Sequence, residues 1–143
     1  MSIMNRIVLC IVFAAAIAAC QAAPKIETAS GLVSALQQRG VPFTSQEPAP
    51  IPQGDKFRFD EGITLKGESL WVDVLRISDR RVFDIAKGAG GILVVAEAVA
   101  GQPIPGKPEV YTRYPFVVII RQQPEGSTLA NTLVELLPPE PAQ

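Results

Sequence analysis

Histidine is absent from this chain of 143 residues, and it has only two cysteines and two methionines. Cys10, Cys20, Met1 and Met4 all lie within the first 20 residues. The rest of the chain therefore offers no thiolate, imidazole or thioether, which excludes the usual zinc, copper and haem sites and leaves carboxylate-based calcium or magnesium binding. We accordingly predict no cofactor and no metal site.

The same absences restrict catalysis, because neither a Ser-His-Asp nor a Cys-His nucleophile system can be assembled. Carboxylate chemistry remains open, since Asp60 and Glu61 are adjacent and Asp73, Asp79 and Asp84 are close in sequence. Neighbouring side chains on a strand point to opposite faces, so Asp60 and Glu61 would be a poor acid/base pair in extended chain. We therefore interpret these carboxylates as solvated surface charge and the protein as non-enzymatic. The alternative is a carboxylate-dependent hydrolase acting on cell-wall or glycan material.

The charge balance also excludes one class of partner. The chain has 13 Lys and Arg against 14 Asp and Glu, a formal net charge of −1. Nucleic-acid binding needs a basic surface that neutralises phosphates. We therefore predict no nucleic-acid partner.

The N-terminal segment is apolar and ends in a cysteine. Residues 7–19 are shorter than the roughly 20 residues of a membrane-spanning helix, so a permanent transmembrane anchor is disfavoured. The small side chains of Ala18 and Ala19, directly before Cys20, are typical of a signal-peptidase site. Ile17-Ala18-Ala19-Cys20 resembles the lipobox of bacterial lipoproteins. An ordinary cleaved leader, with Cys20 incidental, is the alternative.

The resemblance implies cleavage before Cys20, a diacylglyceryl thioether on its sulfur and an acyl chain on its new amino group. Two or three acyl chains would anchor the protein in a membrane, since each buried CH₂ adds about 0.8 kcal/mol. Gln21, rather than Asp, follows the cysteine, which in such lipoproteins implies the outer membrane, facing the periplasm. The expected partners are that membrane, through the lipid anchor at Cys20, and another envelope protein.

Length and composition predict four segments. A lipoprotein signal peptide spans residues 1–19 and a lipidated tether spans 20–27. A single α+β domain spans 28–137, because so short a mature chain fits one domain. Two prolines end the last helix, and we predict a disordered tail over 138–143.

Periodicity predicts helices and strands in mixed order. Helices are expected from a Thr28 cap to Arg39, from an Asp79 cap to Lys87, and from a Ser127 cap to residue 137. In the second of these, Val82, Ile85 and Ala86 are expected to face the core. Strands are expected at 41–43, 57–66 and 70–77, and at 92–99 with helix as the alternative. A further strand is expected over 110–120 as one segment interrupted at Pro115. The prolines in 46–56 predict a loop.

Residues 70–77 are the strongest predicted strand, with Val72 and Val74 on one face and Leu75 and Ile77 on the other. Apolar residues on both faces indicate a central strand. The fold class that follows is α+β, a small mainly antiparallel sheet covered on one face by two or three helices. The order of elements resembles that of small bacterial lipoproteins of uncharacterised function.

One stretch suggests a binding surface. Tyr111, Arg113 and Tyr114 follow a proline-rich loop at 101–108, and Tyr and Arg often dominate protein interfaces. The alternative is a stiff loop with tyrosines packed on the sheet. The glycines of 87–91 do not make a phosphate-binding loop, because the lysine precedes them. We therefore predict a membrane-anchored binding or modulating module, with a structural spacer as a further alternative.

Overall fold

The computed structural model describes residues 25–49, 59–88 and 108–141. In these segments the strands are β1 Ser45–Pro48, β2 Glu61–Lys66, β3 Trp71–Arg76, β4 Glu109–Arg113 and β5 Phe116–Gln122. The helices are α1 Ala29–Gln38, α2 Arg80–Lys87 and α3 Leu129–Leu136. All strand pairings are antiparallel, and the sheet order is β1-β2-β3-β5-β4. The predicted α+β class with an antiparallel sheet is confirmed.

Strand β3 is central, as its two apolar faces predict. It bonds β2 on one side and β5 on the other. Val72 and Val74 belong to one buried cluster, while Leu75 and Ile77 belong to another on the opposite face. The sheet is therefore packed on both faces, and β3 carries apolar side chains to each.

Helices α1 and α3 cover the first face. Leu32 and Leu36 of α1 and Leu133 of α3 are fully buried in the cluster that contains Val72 and Val74. Burying a Leu or Val side chain stabilises a fold by roughly 1.5–3 kcal/mol. These leucines therefore hold both helices against the sheet.

The beginning and end of α1 follow the predicted local rules. Thr28 accepts a hydrogen bond at its Oγ1 from the N–H of Gly31, 3.0 Å away, which satisfies a free donor of the first turn. Gly40 has φ of 80° directly after the helix, a conformation that glycine adopts without a Cβ clash. The predicted cap at Thr28 is confirmed, and the helix ends within one residue of the predicted Arg39.

Helix α2 contributes to the second face. Asp79 caps it as predicted, accepting the N–H of Arg81 at 2.9 Å. Phe83 and Ala86 are buried in the second cluster, but Ile85 is 66% exposed, so its predicted inward position is wrong. Ile85 lies about 200° around the helix from Phe83, at about 100° per residue. Once Phe83 faces the sheet, Ile85 must face outward.

Two predictions near the proline-rich stretch, a strand at 41–43 and a loop from residue 46, are wrong. Residues 41–43 form no strand, although Val41 and Phe43 pack against the first cluster. Strand β1 lies instead at Ser45–Pro48, overlapping the start of the predicted loop 46–56, and pairs with β2. Pro48 is tolerated because it ends an edge strand, where its missing N–H disrupts no central ladder.

The segment 110–120 is a hairpin rather than one interrupted strand. Tyr114 and Pro115 form the turn that joins β4 to β5, with a cis peptide bond between them. The prediction of one segment interrupted at Pro115 is therefore wrong, because the chain reverses its direction there. The segments 50–58 and 89–107, with the predicted strand at 92–99, lie outside the described residues.

Candidate functional site

Strand β4 directs two of the predicted binding residues to the same side. Tyr111 and Arg113 are two positions apart on β4, so their side chains share one face of the strand. Tyr111 packs against the first cluster beside α3. Both side chains are partly buried. The strand thus places a hydroxyl and a guanidinium next to the chain that leaves α3.

These two side chains bind the chain immediately after α3, residues 137–140, which we call the C-terminal segment. The Tyr111 hydroxyl donates a hydrogen bond to the carbonyl oxygen of Leu137, and Arg113 Nε donates to the carbonyl oxygen of Pro138. Arg113 Nη1 also lies 2.5 Å from Glu140 Oε1. One strand face therefore binds two consecutive carbonyls and a carboxylate of the same segment.

A second arginine completes the contact with Glu140. Arg80, the first residue of α2, donates from Nη1 and Nη2 to the two carboxylate oxygens of Glu140, each at 3.0 Å. Such a bidentate pair matches the planar guanidinium to the planar carboxylate. Arg80 Nε also lies 3.1 Å from Asp84, one turn along α2. Arg80 and Arg113 therefore share one carboxylate, and we call this pair with Tyr111 the arginine site.

Tyr114 supports the arginine site from the hairpin turn. Its hydroxyl donates to the carbonyl oxygen of Ser78 at 2.5 Å, and its ring meets Phe83 edge-on at 5.4 Å. The guanidinium of Arg80 lies 5.0 Å from the centre of the same ring, within the range of a cation–π contact. Tyr114 thus orients Arg80 and links the hairpin to α2.

The electrostatics of the arginine site agree with its geometry. Hydrogen bonds from Arg80 lower the pKa of Glu140, and the positive charges of Arg80, Arg113 and Lys87 add to this effect. The hydrogen bond with Glu140 raises the pKa of Arg80. Burial raises the pKa of the Tyr111 hydroxyl, partly offset by the charge of Arg113. The site therefore keeps Glu140 ionised and Tyr111 as a donor.

The structure brings Tyr111, Arg113 and Tyr114 together but engages each in contacts within the chain. Whether they also bind a partner stays a prediction. Arg80 and Glu140 were missed, because no periodic pattern links residues 60 positions apart. The predicted disordered tail begins at residue 138, yet Pro138 and Glu140 have defined partners. A proline pair followed by an acidic residue was the one local signal that could have indicated a bound segment.

The carboxylates singled out in the sequence have separate roles. Glu61 Oε2 accepts the N–H of Ala29 at 2.6 Å, whereas Asp60 Oδ2 accepts the N–H of Ser78 at 2.5 Å. Burial raises the pKa of Asp60, but hydrogen bonds from Ser78 and the charge of Arg76 outweigh it and lower the pKa overall. A general acid needs the opposite shift. Glu61 thus binds the start of α1 and Asp60 the connection between β3 and α2, so the two carboxylates have separate partners.

Asp73 contradicts the interpretation as surface charge. Its side chain is 1% exposed and lies 2.5 Å from Nη2 of Arg121, which is 7% exposed. Thr64, its cross-strand neighbour, donates to Asp73 Oδ1 at 2.7 Å. The guanidinium of Arg121 also lies 4.6 Å from the ring centre of Trp71. Asp73 is therefore half of a buried ion pair, because an acidic residue on a central strand needs a compensating cation.

The described residues contain neither a metal-binding cluster nor a membrane-spanning helix. In residues 25–49, 59–88 and 108–141, no group of three or more His, Cys, Asp or Glu side chains could hold a metal ion. None of the helices in these ranges is long and apolar enough to cross a bilayer. Comparison with protein-family models, curated proteins and solved structures found no match to this chain.

Proposed function

We propose that this chain is a lipid-anchored envelope protein whose α+β domain binds another envelope component without catalysing a reaction. The anchor rests on Ile17-Ala18-Ala19-Cys20, where two small residues directly precede a cysteine. On this proposal residues 1–19 are removed, Cys20 is acylated, and the domain faces the periplasm from the outer membrane.

Binding is supported by one observation above others. Two of the side chains predicted to bind a partner already bind a segment of their own chain. Tyr111 and Arg113 donate hydrogen bonds to carbonyl oxygens of the C-terminal segment. A surface whose donors are spaced for consecutive carbonyls and a carboxylate has the chemistry of peptide recognition. No observation in the described residues favours the hydrolase or the spacer over this function.

The anchor is tested by metabolic labelling with a palmitate analogue. The native chain should incorporate the label and lose the mass of residues 1–19. Cys20→Ala should do neither, because both the thioether site and the processing signal are removed. Cys10→Ala is the matched control, since it replaces the other cysteine and should leave labelling intact. Continued labelling of Cys20→Ala would overturn the anchor.

The binding function is tested by crosslinking in the intact envelope. The native chain should recover a defined partner, and Arg113→Gln should reduce that recovery. Arg39→Gln is the control, because Arg39 also forms a 2.5 Å ion pair, with Glu135, away from the arginine site. Equal loss in both variants would show that altered folding, not the proposed surface, explains the effect. Unchanged recovery with Arg113→Gln would contradict the proposed surface.

A further inference from the structure

The C-terminal segment is held through its acceptor groups. Pro138 and Pro139 have no N–H, so this stretch can neither continue α3 nor join a strand ladder as a donor. The partners facing it are donors: the Tyr111 hydroxyl, Arg113 Nε and the guanidinium groups of Arg80 and Arg113. The site therefore binds acceptor groups of the chain that follows α3, namely two consecutive carbonyls and a carboxylate two residues later.

The arginine site is cationic without Glu140. Arg80 and Arg113 both form ion pairs with the Glu140 carboxylate. Asp84 forms an ion pair with Arg80 on the same helix. Removing Glu140 would leave two guanidinium groups with one carboxylate between them, and that carboxylate pairs with Arg80 alone. An anionic group from another molecule would restore the balance, whereas a cationic or apolar one would not.

The contact is also suited to exchange. The side chains of Arg80, Arg113 and Glu140 are all partly exposed, and ion pairs in contact with water contribute little to stability. Leu137 is buried in the first cluster, so the exchange concerns residues 138–140, which these ion pairs and the Arg113 hydrogen bond to Pro138 hold at the surface. That part of the segment can open for a second peptide to compete. The chain's own segment then acts as a tethered competitor, which lowers the apparent affinity for any external peptide.

We propose that Tyr111, Arg80 and Arg113 form a binding site for an acidic, proline-containing peptide segment of a partner protein, and that the chain's own C-terminal segment occupies this site until the partner displaces it. The inference rests on the proposed binding function and names the chemistry of the partner. Its recognition element is a stretch without helix in which a carboxylate side chain follows two carbonyls, as Glu140 follows Leu137 and Pro138.

The test measures peptide binding to the full-length chain, purified in detergent, by fluorescence anisotropy. The probe is a labelled peptide with the sequence of residues 137–143, and its control carries Gln at the position of Glu140. Glu140→Gln in the protein weakens the tethered competitor, so the probe should bind this variant about tenfold more tightly than the native chain. The Gln-containing peptide should bind that variant about tenfold more weakly than the probe does.

Matched variants separate competition from altered folding. Glu135→Gln breaks the ion pair with Arg39 and should leave the affinity for the probe unchanged. Adding Arg113→Gln or Arg80→Gln to Glu140→Gln should abolish the gain, and Arg80 is exposed enough that its loss should leave the far-ultraviolet circular dichroism spectrum native. Equal affinities of the Glu140→Gln and Glu135→Gln variants, or no saturable binding by either, would overturn the inference.

The two proposals fail separately. If crosslinking recovers a partner in the envelope while the probe does not bind Glu140→Gln, the binding function stands and the peptide site is wrong. If the probe binds as expected but no partner is recovered, the peptide site stands and the envelope function is wrong.

Discussion

The buried pair of Asp73 and Arg121 provides the sharpest test of how this fold is stabilised. Both side chains are withdrawn from water, at 1% and 7% exposure. The variant Asp73→Asn keeps the size of the side chain and its capacity to accept from Thr64, but leaves the Arg121 guanidinium buried without its counter-ion. We expect a large loss of stability from this single substitution.

The magnitude follows from burial. Removing one partner of a buried ion pair destabilises a protein by about 3–5 kcal/mol, because the remaining charge loses compensation that water would otherwise supply. A whole domain is stable by about 5–15 kcal/mol, so the loss is about a fifth or more of the total. Removing both charges together should cost much less stability than removing one. Asp73→Leu with Arg121→Met replaces the pair by apolar groups, and this double variant should recover most of the loss.

The double variant is expected to recover because the polar cluster is only partly satisfied. The indole nitrogen of Trp71 and Nε of Arg121 have no hydrogen-bond partner, within the part of the chain that is described. A half-satisfied buried network contributes little net stability. Apolar replacements would therefore forfeit few hydrogen bonds, while avoiding the desolvation of two charges.

The assay is urea denaturation followed by far-ultraviolet circular dichroism. Fluorescence is unsuitable, because Arg121 contacts Trp71, the sole tryptophan of the chain. The control is Glu135→Gln, which breaks a pair with the same 2.5 Å separation between side chains that are 48% and 60% exposed. This exposed pair should contribute only about 0–1 kcal/mol.

One comparison would refute the reasoning. If Asp73→Asn and Glu135→Gln had the same unfolding midpoint, burial would not determine the contribution of an ion pair here. A double variant as unstable as the sum of its two single changes would also count against the argument, since it would mean that the charges contribute independently.

Two further predictions concern a turn and the arginine site. In Gly67→Ala the new Cβ would lie too close to the carbonyl oxygen of Pro42, a backbone atom that cannot move aside. We therefore expect urea denaturation to show a loss of about 1–3 kcal/mol in the free energy of unfolding. Gly88→Ala, whose Cβ would keep 3.3 Å from its nearest neighbour, should unfold within about 1 kcal/mol of the native chain, and equal midpoints for the two variants would contradict this. Hydrogen bonds from Arg80 lower the pKa of Glu140 below its ordinary 4.5, so the contact stabilises the fold above pH 4.5 and is lost as the pH falls through the lower folded value. A carbon-13 NMR titration should show a Glu140 midpoint below 4.5 that Arg80→Gln moves toward 4.5, and a native midpoint at or above 4.5 would exclude the contact.

Local patterns predicted the fold class and several element ends. Thr28 and Asp79 each precede an apolar periodic run, and both cap helices. The two-faced apolar pattern of residues 70–77 correctly indicated the central strand. In these cases the signal lies within a few residues of the structure it specifies, because caps and strand faces are local properties of the chain.

The missed elements depend on contacts between distant parts of the chain. Strand β1 contains a proline and has no buried residue, so nothing in its own four positions indicates a strand. Strand β1 forms because its backbone pairs with the edge of β2. Ile85 was placed inward from its apolar character, although the larger Phe83 determines which side of α2 faces the sheet. Tertiary packing decided both cases against local propensity.

The same distinction separates the two halves of the buried polar cluster. Thr64 and Asp73 are directly opposite on β2 and β3, and a short turn joins these strands, so the hairpin alone brings the hydroxyl to the carboxylate. Arg121 comes from β5, 48 positions after Asp73, and reaches it only once the sheet has assembled. The arginine site repeats this arrangement at the surface, where Arg80, Arg113 and Glu140 come from three separate elements. Because a charge can be compensated by any cation that the fold brings near, local sequence specifies that a partner is needed but leaves its identity to the topology.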